Sequence, residues 1–328
     1  MSTPNTVNSG ASPLDAIEPH IVAKLDPDFL KFYVDVLSMN PPAQAWSIEQ
    51  VRANPEKFRV PIAVNTTGWE RVVDHTVKSD DGADIPVRGG FVLGDLESEA
   101  QLCLSMRDGA GVVVIDVNYR HCPETVWGKC VQDGWAALSW TRDAAGTLNV
   151  NPDSVSIGGI SAGGQISLIL QHLARDAGVP LKLCMASVPP AADGFFYKFY
   201  TESPFPSFHE FYRSPILPWA RIQWFGKQSM PEDKVEELQA MWPDWWFSPL
   251  RARNWSGLCD TYIRTAECDV LRDEGEAYGM KLVAGGNKVT FKRYLGAPHT
   301  FMYLPAMKQK HVYDEDAIAA LKVAHGLR

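Results

Sequence analysis

The sequence predicts an α/β fold: a mainly parallel, twisted sheet with helices on both faces and a helical cap. Three observations predict it. Apolar or β-branched runs of strand length alternate with helix-length segments through most of the chain, the pattern of a parallel sheet covered on both sides. At 154–170 a short strand-like run passes through Gly158-Gly159-Ile160-Ser161-Ala162-Gly163-Gly164 into an apolar, helix-competent segment. Between Ala191 and Leu250 the alternation stops, and a block dense in aromatics and proline takes its place.

Composition narrows the partners. At 328 residues, 45% hydrophobic and 21% charged, the chain is long enough for one large α/β domain or two small ones. A formal net charge of −8 with no basic run argues against nucleic acid and anionic membrane surfaces. No run approaches the roughly 18 apolar residues of a spanning helix, so no stable membrane insertion is expected. The start, Met1-Ser2-Thr3-Pro4-Asn5-Thr6, is polar and uncharged and does not read as a signal peptide. Cys103, Cys122, Cys130, Cys184, Cys259 and Cys268 form no CxxC pair. They read as reduced, mostly buried thiols of a cytoplasmic protein, with neither a zinc site nor a disulfide framework.

Residues 1–13, rich in Ser, Thr, Pro, Asn and Gly, read as a disordered lead-in. From Leu14 to Met39 apolar residues recur at helical spacing, broken at Pro19 and Pro27; with a helical turn at Ser47 to Ala53, this makes 14–60 a set of cap helices. Arg71 to Ser79 alternates like a strand, Asp80-Asp81-Gly82 signals a turn, and Ala83 to Val87 reads as the returning strand. Ser98 to Met106 reads as a helix, and Gly111 to Val117 as a buried parallel strand. A helix through Gln132 to Trp140 follows. Leu181 to Val188, Asp260 to Ala266 and Val289 to Leu295 are further strands, with helices at Asp273 to Val283 and Asp314 to Ala324. The core is therefore 61–190 with 251–328, and 191–250 is an inserted aromatic-rich cap. Most of its aromatics are expected to form the cap's own core, and a few to line an apolar pocket.

The chemistry gathers where strands end. Gly159-x-Ser161-x-Gly163 sits between a strand and a helix, where a serine on a sharp turn needs neighbours with little or no Cβ. The Ala162 amide then faces the oxygen that gains charge in acyl transfer. A serine nucleophile needs a base and a carboxylate that orients it. Downstream, Glu267-Cys268-Asp269 follows one strand and Gly296-Ala297-Pro298-His299 follows the last. His299 is the only histidine in a strand-end loop beyond both, whereas His311 and His325 lie near or within the final helix. Asp269 stands nearest its strand end. Asp273 and Glu274 open the next helix, where acids are favoured by the dipole alone. Glu267 is a candidate support for the serine loop.

In combination these motifs resemble the hormone-sensitive-lipase-like branch of α/β-hydrolase carboxylesterases, from about Leu14 to the C-terminus. That branch carries Gly-Asp-Ser-Ala-Gly-Gly, Asp-Pro-Leu-Arg-Asp-Glu, Tyr-Arg-Leu-Ala-Pro-Glu and His-Gly-Phe. This chain has Gly159-Ile160-Ser161-Ala162-Gly163-Gly164, Asp269-Val270-Leu271-Arg272-Asp273-Glu274, Tyr119-Arg120-His121-Cys122-Pro123-Glu124 and His299-Thr300-Phe301. The resemblance implies an α/β-hydrolase fold with an N-terminal helical cap element. It implies Ser161 as nucleophile, His299 as base and then acid, and Asp269 as its orienter. The chain also looks similar to fungal secondary-metabolism esterases of this branch. No metal or organic cofactor is implied.

One segment departs from the pattern. The family's His-Gly-Gly-Gly-Phe loop follows its third strand, but here the sequence is Val87-Arg88-Gly89-Gly90-Phe91. Gly89 and Gly90 keep the two backbone donors that join Ala162 as the oxyanion hole. The returning strand runs straight into this loop, so one strand and its connection are missing, roughly 15 to 25 residues. Either the natural protein is longer, or Ala83 to Arg88 is conscripted as the central strand. A central gap leaves ladder groups unpaired, so conscription is expected in a folded form.

The resulting expectation is a serine hydrolase that cleaves a small hydrophobic ester, the aromatic cap favouring an aryl or alkyl group over a charged one. Acyl transfer by the same serine is an open alternative. So is a non-catalytic binding protein on the same scaffold. The oligomeric state is open, a homodimer included.

Overall fold

Strands form where β-branched and small residues run together, and their ladders set the order of everything else. The computed structural model describes residues 12–39, 42–54, 57, 72–87 and 99–328. β1 (Thr76–Lys78) and β2 (Asp84–Pro86) form an antiparallel hairpin, turned at Gly82 with φ of 82°. The main sheet comprises β3 (Ser156–Ile160), β4 (Leu183–Ser187), β5 (Thr261–Cys268) and β6 (Val289–Pro298). These four pair in that order, all parallel.

β4 shows why the sheet needs cover on both sides: all five of its residues are buried. Cys184 and Ala186 pack with Leu168 of the helix Ala162–Asp176 and with Tyr278 and Leu282 of the helix Arg272–Ala284. Leu183 and Met185 point the other way, onto Ala317 and Leu321 of the helix Lys308–His325 and Ala110 of the helix Ala100–Ala110. Side chains that alternate faces along a strand give a core on each side.

The segment 188–260 between β4 and β5 carries only short helices, among them Pro206–Glu210 and Trp219–Ser229. Its Phe208, Phe211, Leu217 and Trp219 pack in one cluster with Ile17, Ile21, Leu25 and Phe29 from the N-terminal helices Pro19–Val22 and Pro27–Asp35. The same cluster takes in Ala297 near the carboxyl end of β6, with Val270 and Phe301 from the segments just beyond β5 and β6. N-terminal helices and insert thus cover one rim of the sheet together. Pro19 and Pro27 stand at the first positions of their helices, where a missing N–H costs nothing. The side chain of Ser12 caps a 3-10 turn at Pro13–Ala16; residues 1–11 lie outside the described residues.

Two expectations fail together. The expected central strand at Ala83 to Arg88 is not formed by its described residues, 83–87: β2 stays with β1, and Ile85 packs with Val77 and Ala136, while Arg88 lies outside the described residues. A tight turn gives that hairpin its partner locally, so no long-range pairing competes for it. Gly111 to Val117 is not a strand either; it runs as irregular chain, tied to the hairpin by the Asn118 N–H donating to Pro86 O at 2.9 Å. Its composition suits a strand, but a ladder needs a neighbour, and none of the described residues supplies one. Val112 to Val117 instead lines one side of a cavity of about 1460 Å³, with Ser156 to Gly159 of β3 on the other. Among the described residues β3 is paired on one side only, and unlike β4 it is nowhere fully buried.

Candidate active site

Ser161 follows β3 directly and adopts φ 53° and ψ −115°, a left-handed conformation that a residue with a Cβ rarely holds. Its backbone is fixed on both sides. Its N–H donates to Ser187 O at the end of β4 (2.8 Å), and its carbonyl accepts from Gln165 N–H in the helix Ala162–Asp176 (3.0 Å). The turn closes this tightly because Gly159 lacks a side chain: a Cβ there would lie 2.3 Å from the Gly163 carbonyl carbon.

Two loops meet this turn. β5 ends at Cys268, which puts Asp269 in the loop that follows, and β6 ends at Pro298, which puts His299 in the next. Asp269 is 0% exposed and His299 4%. The His299 Nδ1 to Asp269 Oδ2 distance is 2.8 Å, and His299 Nε2 to Ser161 Oγ is 3.0 Å. A carboxylate can only accept, so Nδ1 carries the proton and donates it, leaving Nε2 to accept from the serine hydroxyl. Asp269 Oδ1 accepts the Leu271 N–H at 3.1 Å, which fixes the carboxylate plane. The three side chains thus form one continuous hydrogen-bonded chain at the carboxyl rim of the sheet. Such a relay can take a proton from an attacking hydroxyl and return it to a leaving group.

Ala162 is the first residue of its helix, where an amide has no acceptor inside the helix. Gly89 and Gly90 lie outside the described residues. His311 is exposed within the helix Lys308–His325, and His325 bridges the Ser154 and Ser156 hydroxyls at 2.8 Å each, away from the rim.

The neighbouring acids divide differently from expectation. Glu267 does not hold the serine loop; its Oε2 accepts the Gly296 N–H at 2.7 Å and steadies the approach to His299. β5 and β6 pair side by side, with a register irregularity between Ala266 and Cys268, and Glu267 stands at that irregularity beside Gly296 of β6. Asp273 accepts from Ser207 N–H (2.7 Å) and pairs with Arg272. Glu274 is 1% exposed, not the solvated helix-start acid its position suggests. Its Oε1 accepts from Ala191 and Ala192 N–H at 2.7 and 3.3 Å and so clamps the chain just beyond β4. Its Oε2 has no hydrogen-bond partner.

Burial raises the Glu274 carboxyl from an ordinary 4.5 to about 8, against the two amide donors, which favour the ionised form. Folding therefore favours the neutral acid. Its stabilising contribution is whole below the unfolded value and is lost as pH rises through about 8. Glu274→Gln keeps the amide acceptor but cannot ionise. Urea unfolding between about pH 5 and 9 should show wild-type stability falling more steeply than that of the variant. Parallel curves would mean that the carboxyl ionises without penalty.

The cavity reaches the site, and its wall includes Ser161 and His299, with Phe195, Leu217 and Phe225 from the insert and Tyr33 from the N-terminal helices. Phe208 and Phe211, by contrast, are fully buried among the insert's own contacts. Among the described residues no cluster of three or more His, Cys, Asp or Glu is arranged to hold a metal ion. Among them, too, no helix is long and apolar enough to cross a membrane.

Comparison with known proteins agrees with this fold. A family model described as the alpha/beta hydrolase fold matches residues 88–303. The chain is 33% identical over 243 residues to an AB hydrolase superfamily protein of Schizosaccharomyces pombe, covering 72% of this chain and 68% of that one. It is 32% identical over 238 residues to the carboxylesterase NlhH of Mycobacterium tuberculosis, covering 67% and 72%. Among solved structures, a thermostable esterase from Pseudomonas putida superposes with a TM-score of 0.78 at 25% identity, over 93% of this chain and 99% of that one. A hyperthermophilic esterase from Pyrobaculum calidifontis gives 0.75 at 26% identity, over 92% and 98%.

Proposed function

The chain belongs to the alpha/beta hydrolase fold family and is a carboxylesterase-like hydrolase, and from this premise we propose that Ser161 cleaves carboxylic esters of small hydrophobic substrates through an acyl-enzyme intermediate. One observation carries the reading: the unbroken hydrogen-bonded path Ser161 Oγ, His299 Nε2, His299 Nδ1, Asp269 Oδ2.

In the proposed cycle Ser161 Oγ attacks the ester carbonyl carbon while His299 Nε2 takes the hydroxyl proton. Asp269 holds the resulting imidazolium and keeps Nε2 aimed at the serine. The carbonyl oxygen becomes an oxyanion beside the Ala162 amide, with Gly89 and Gly90 as the further proposed donors. His299 then protonates the departing alkoxide, and the C–O bond to the alcohol breaks. Water, deprotonated by the same imidazole, attacks the acyl-serine and releases the acid. The apolar cavity wall supports a hydrophobic group next to the ester. A cytoplasmic location remains part of this proposal, resting on the scattered free cysteines.

Stopped-flow mixing with p-nitrophenyl butyrate tests the intermediate. A burst of about one p-nitrophenolate per chain, followed by slower steady turnover, is the expected trace if deacylation limits. If deacylation is fast the burst vanishes, and added methanol should then divert acyl groups to methyl butyrate. Turnover with neither a burst nor a methyl ester would contradict an acyl-enzyme.

A further inference from the structure

The cavity wall is largely apolar but also carries Lys57, Glu99, Asp116, Arg264, Glu274 and Asp314, and to these the insert adds a cation of its own. Arg221 lies in the helix Trp219–Ser229, whose Trp219, Ile222 and Gly226 are buried against the rest of the insert. Its guanidinium lies over the ring of Phe225, four residues on, with 5.6 Å from Cζ to the ring centroid. Both residues therefore share the helix face that lines the cavity holding Ser161 and His299.

Arg221 has one hydrogen-bond partner, donating from one terminal nitrogen to the Ile216 carbonyl at 3.0 Å. Its Nε is buried with no partner at all. No carboxylate of the described residues pairs with it. Three of the insert's acids are engaged elsewhere: Asp193 with Arg251 at 2.9 Å, Glu202 with the Lys198 N–H at 3.0 Å, and Glu210 with Lys24. Burial alone bears on its acidity, lowering the pKa to about 10, with no neighbouring charge in opposition. The side chain is still a cation at neutral pH. A guanidinium whose Nε is buried without a partner, and with which no carboxylate pairs, is costly unless something arrives to neutralise it. An arginine is also the side chain that grips a planar anion with two parallel hydrogen bonds.

We infer that Arg221 is a specificity-determining residue that binds a carboxylate on the substrate, so that the preferred substrate has an apolar body, one ester and one free carboxylate. The inference rests on the esterase reading of the same cavity. It also restricts that reading, since the hydrophobic group next to the ester must end in, or carry, an anion. The carboxylate is either on the acyl group, as in a monoester of a dicarboxylic acid, or on the alcohol.

Two matched pairs of esters separate these cases. p-Nitrophenyl hemiglutarate against p-nitrophenyl valerate places the charge on the acyl side. 4-Butyryloxybenzoate against 4-butyryloxybenzamide places it on the alcohol side. In one of the pairs wild-type kcat/KM should favour the anionic ester by about 10- to 100-fold, the range for a charge-assisted hydrogen bond in a buried site. In Arg221→Gln that ratio should fall toward one, through a raised KM for the anionic ester. Arg221→Lys, which keeps the charge but not the fork, should recover part of it. Wild-type turnover of the neutral esters with no anionic preference in either pair overturns the assignment and leaves the esterase reading standing. A preference that persists in Arg221→Gln overturns it equally. The wild-type ratios need no variant, so a variant that fails to fold leaves the proposal testable. Turnover of none of the four esters by folded wild-type protein would remove the esterase reading beneath it.

Discussion

Ser161→Ala is expected to lower kcat for short p-nitrophenyl esters by about 10⁴- to 10⁶-fold, leaving KM within a few-fold of wild type. The alanine removes the nucleophilic oxygen held 3.0 Å from His299 Nε2, and the residual rate comes from binding and oxyanion donors acting on water. The variant should not lose stability in proportion. The left-handed backbone at 161 is held by Ser187 O and Gln165 N–H, both of which bond to main-chain atoms that alanine retains. Steady-state kinetics with thermal unfolding alongside makes the check. A loss of only a few-fold in a folded variant would assign the chemistry to another group.

The second large effect belongs to Asp269→Asn, expected to lower kcat by about 10⁴-fold. The substitution barely changes volume, and the asparagine oxygen can still accept from Leu271 N–H. Its NH₂ must then face His299 Nδ1, which forces that nitrogen to accept and moves the imidazole proton to Nε2. A protonated Nε2 cannot take the proton from Ser161. In the alternative flip, the Leu271 bond is lost and the amide presents an oxygen without the carboxylate's charge, so the imidazolium that forms in the transition state goes unsupported. Raising the pH should not rescue this variant, because the defect lies in which nitrogen carries the proton. Activity within ten-fold of wild type would mean that Asp269 does not orient the histidine.

The reacting constellation was legible because each member leaves a local trace. A strained serine turn needs small neighbours, and Gly159 and Gly163 are those neighbours in sequence as well as in space. Asp269 and His299 each follow a strand end, and parallel strands bring such loops to one rim without any long-range information. Glu274 was misjudged for the opposite reason. An acid in the first turn of a helix is explained by the dipole, and nothing nearby in sequence says that Ala191 and Ala192 will bury it. Gly111 to Val117 shows a further limit. Apolar composition encodes burial, whereas a strand also requires a partner, and here the segment beside it is a cavity rather than a ladder. The expected conscription of Ala83 to Arg88 failed because a short connection at 79–83 outcompetes a distant edge. Arg221 was invisible, since a single arginine on an amphipathic helix ordinarily faces water, and only packing shows it turned inward over Phe225.

Treatment of the intact chain with a fluorophosphonate, followed by mass spectrometry of the protein and its peptides, probes the central relation most directly. The reagent bonds only to a serine whose hydroxyl is being deprotonated by a neighbour. A single adduct per chain, located on Ser161, absent from Ser161→Ala and formed far more slowly in Asp269→Asn, is the predicted result. A folded wild-type chain that stays unlabelled, or carries the adduct on another serine, would contradict the account.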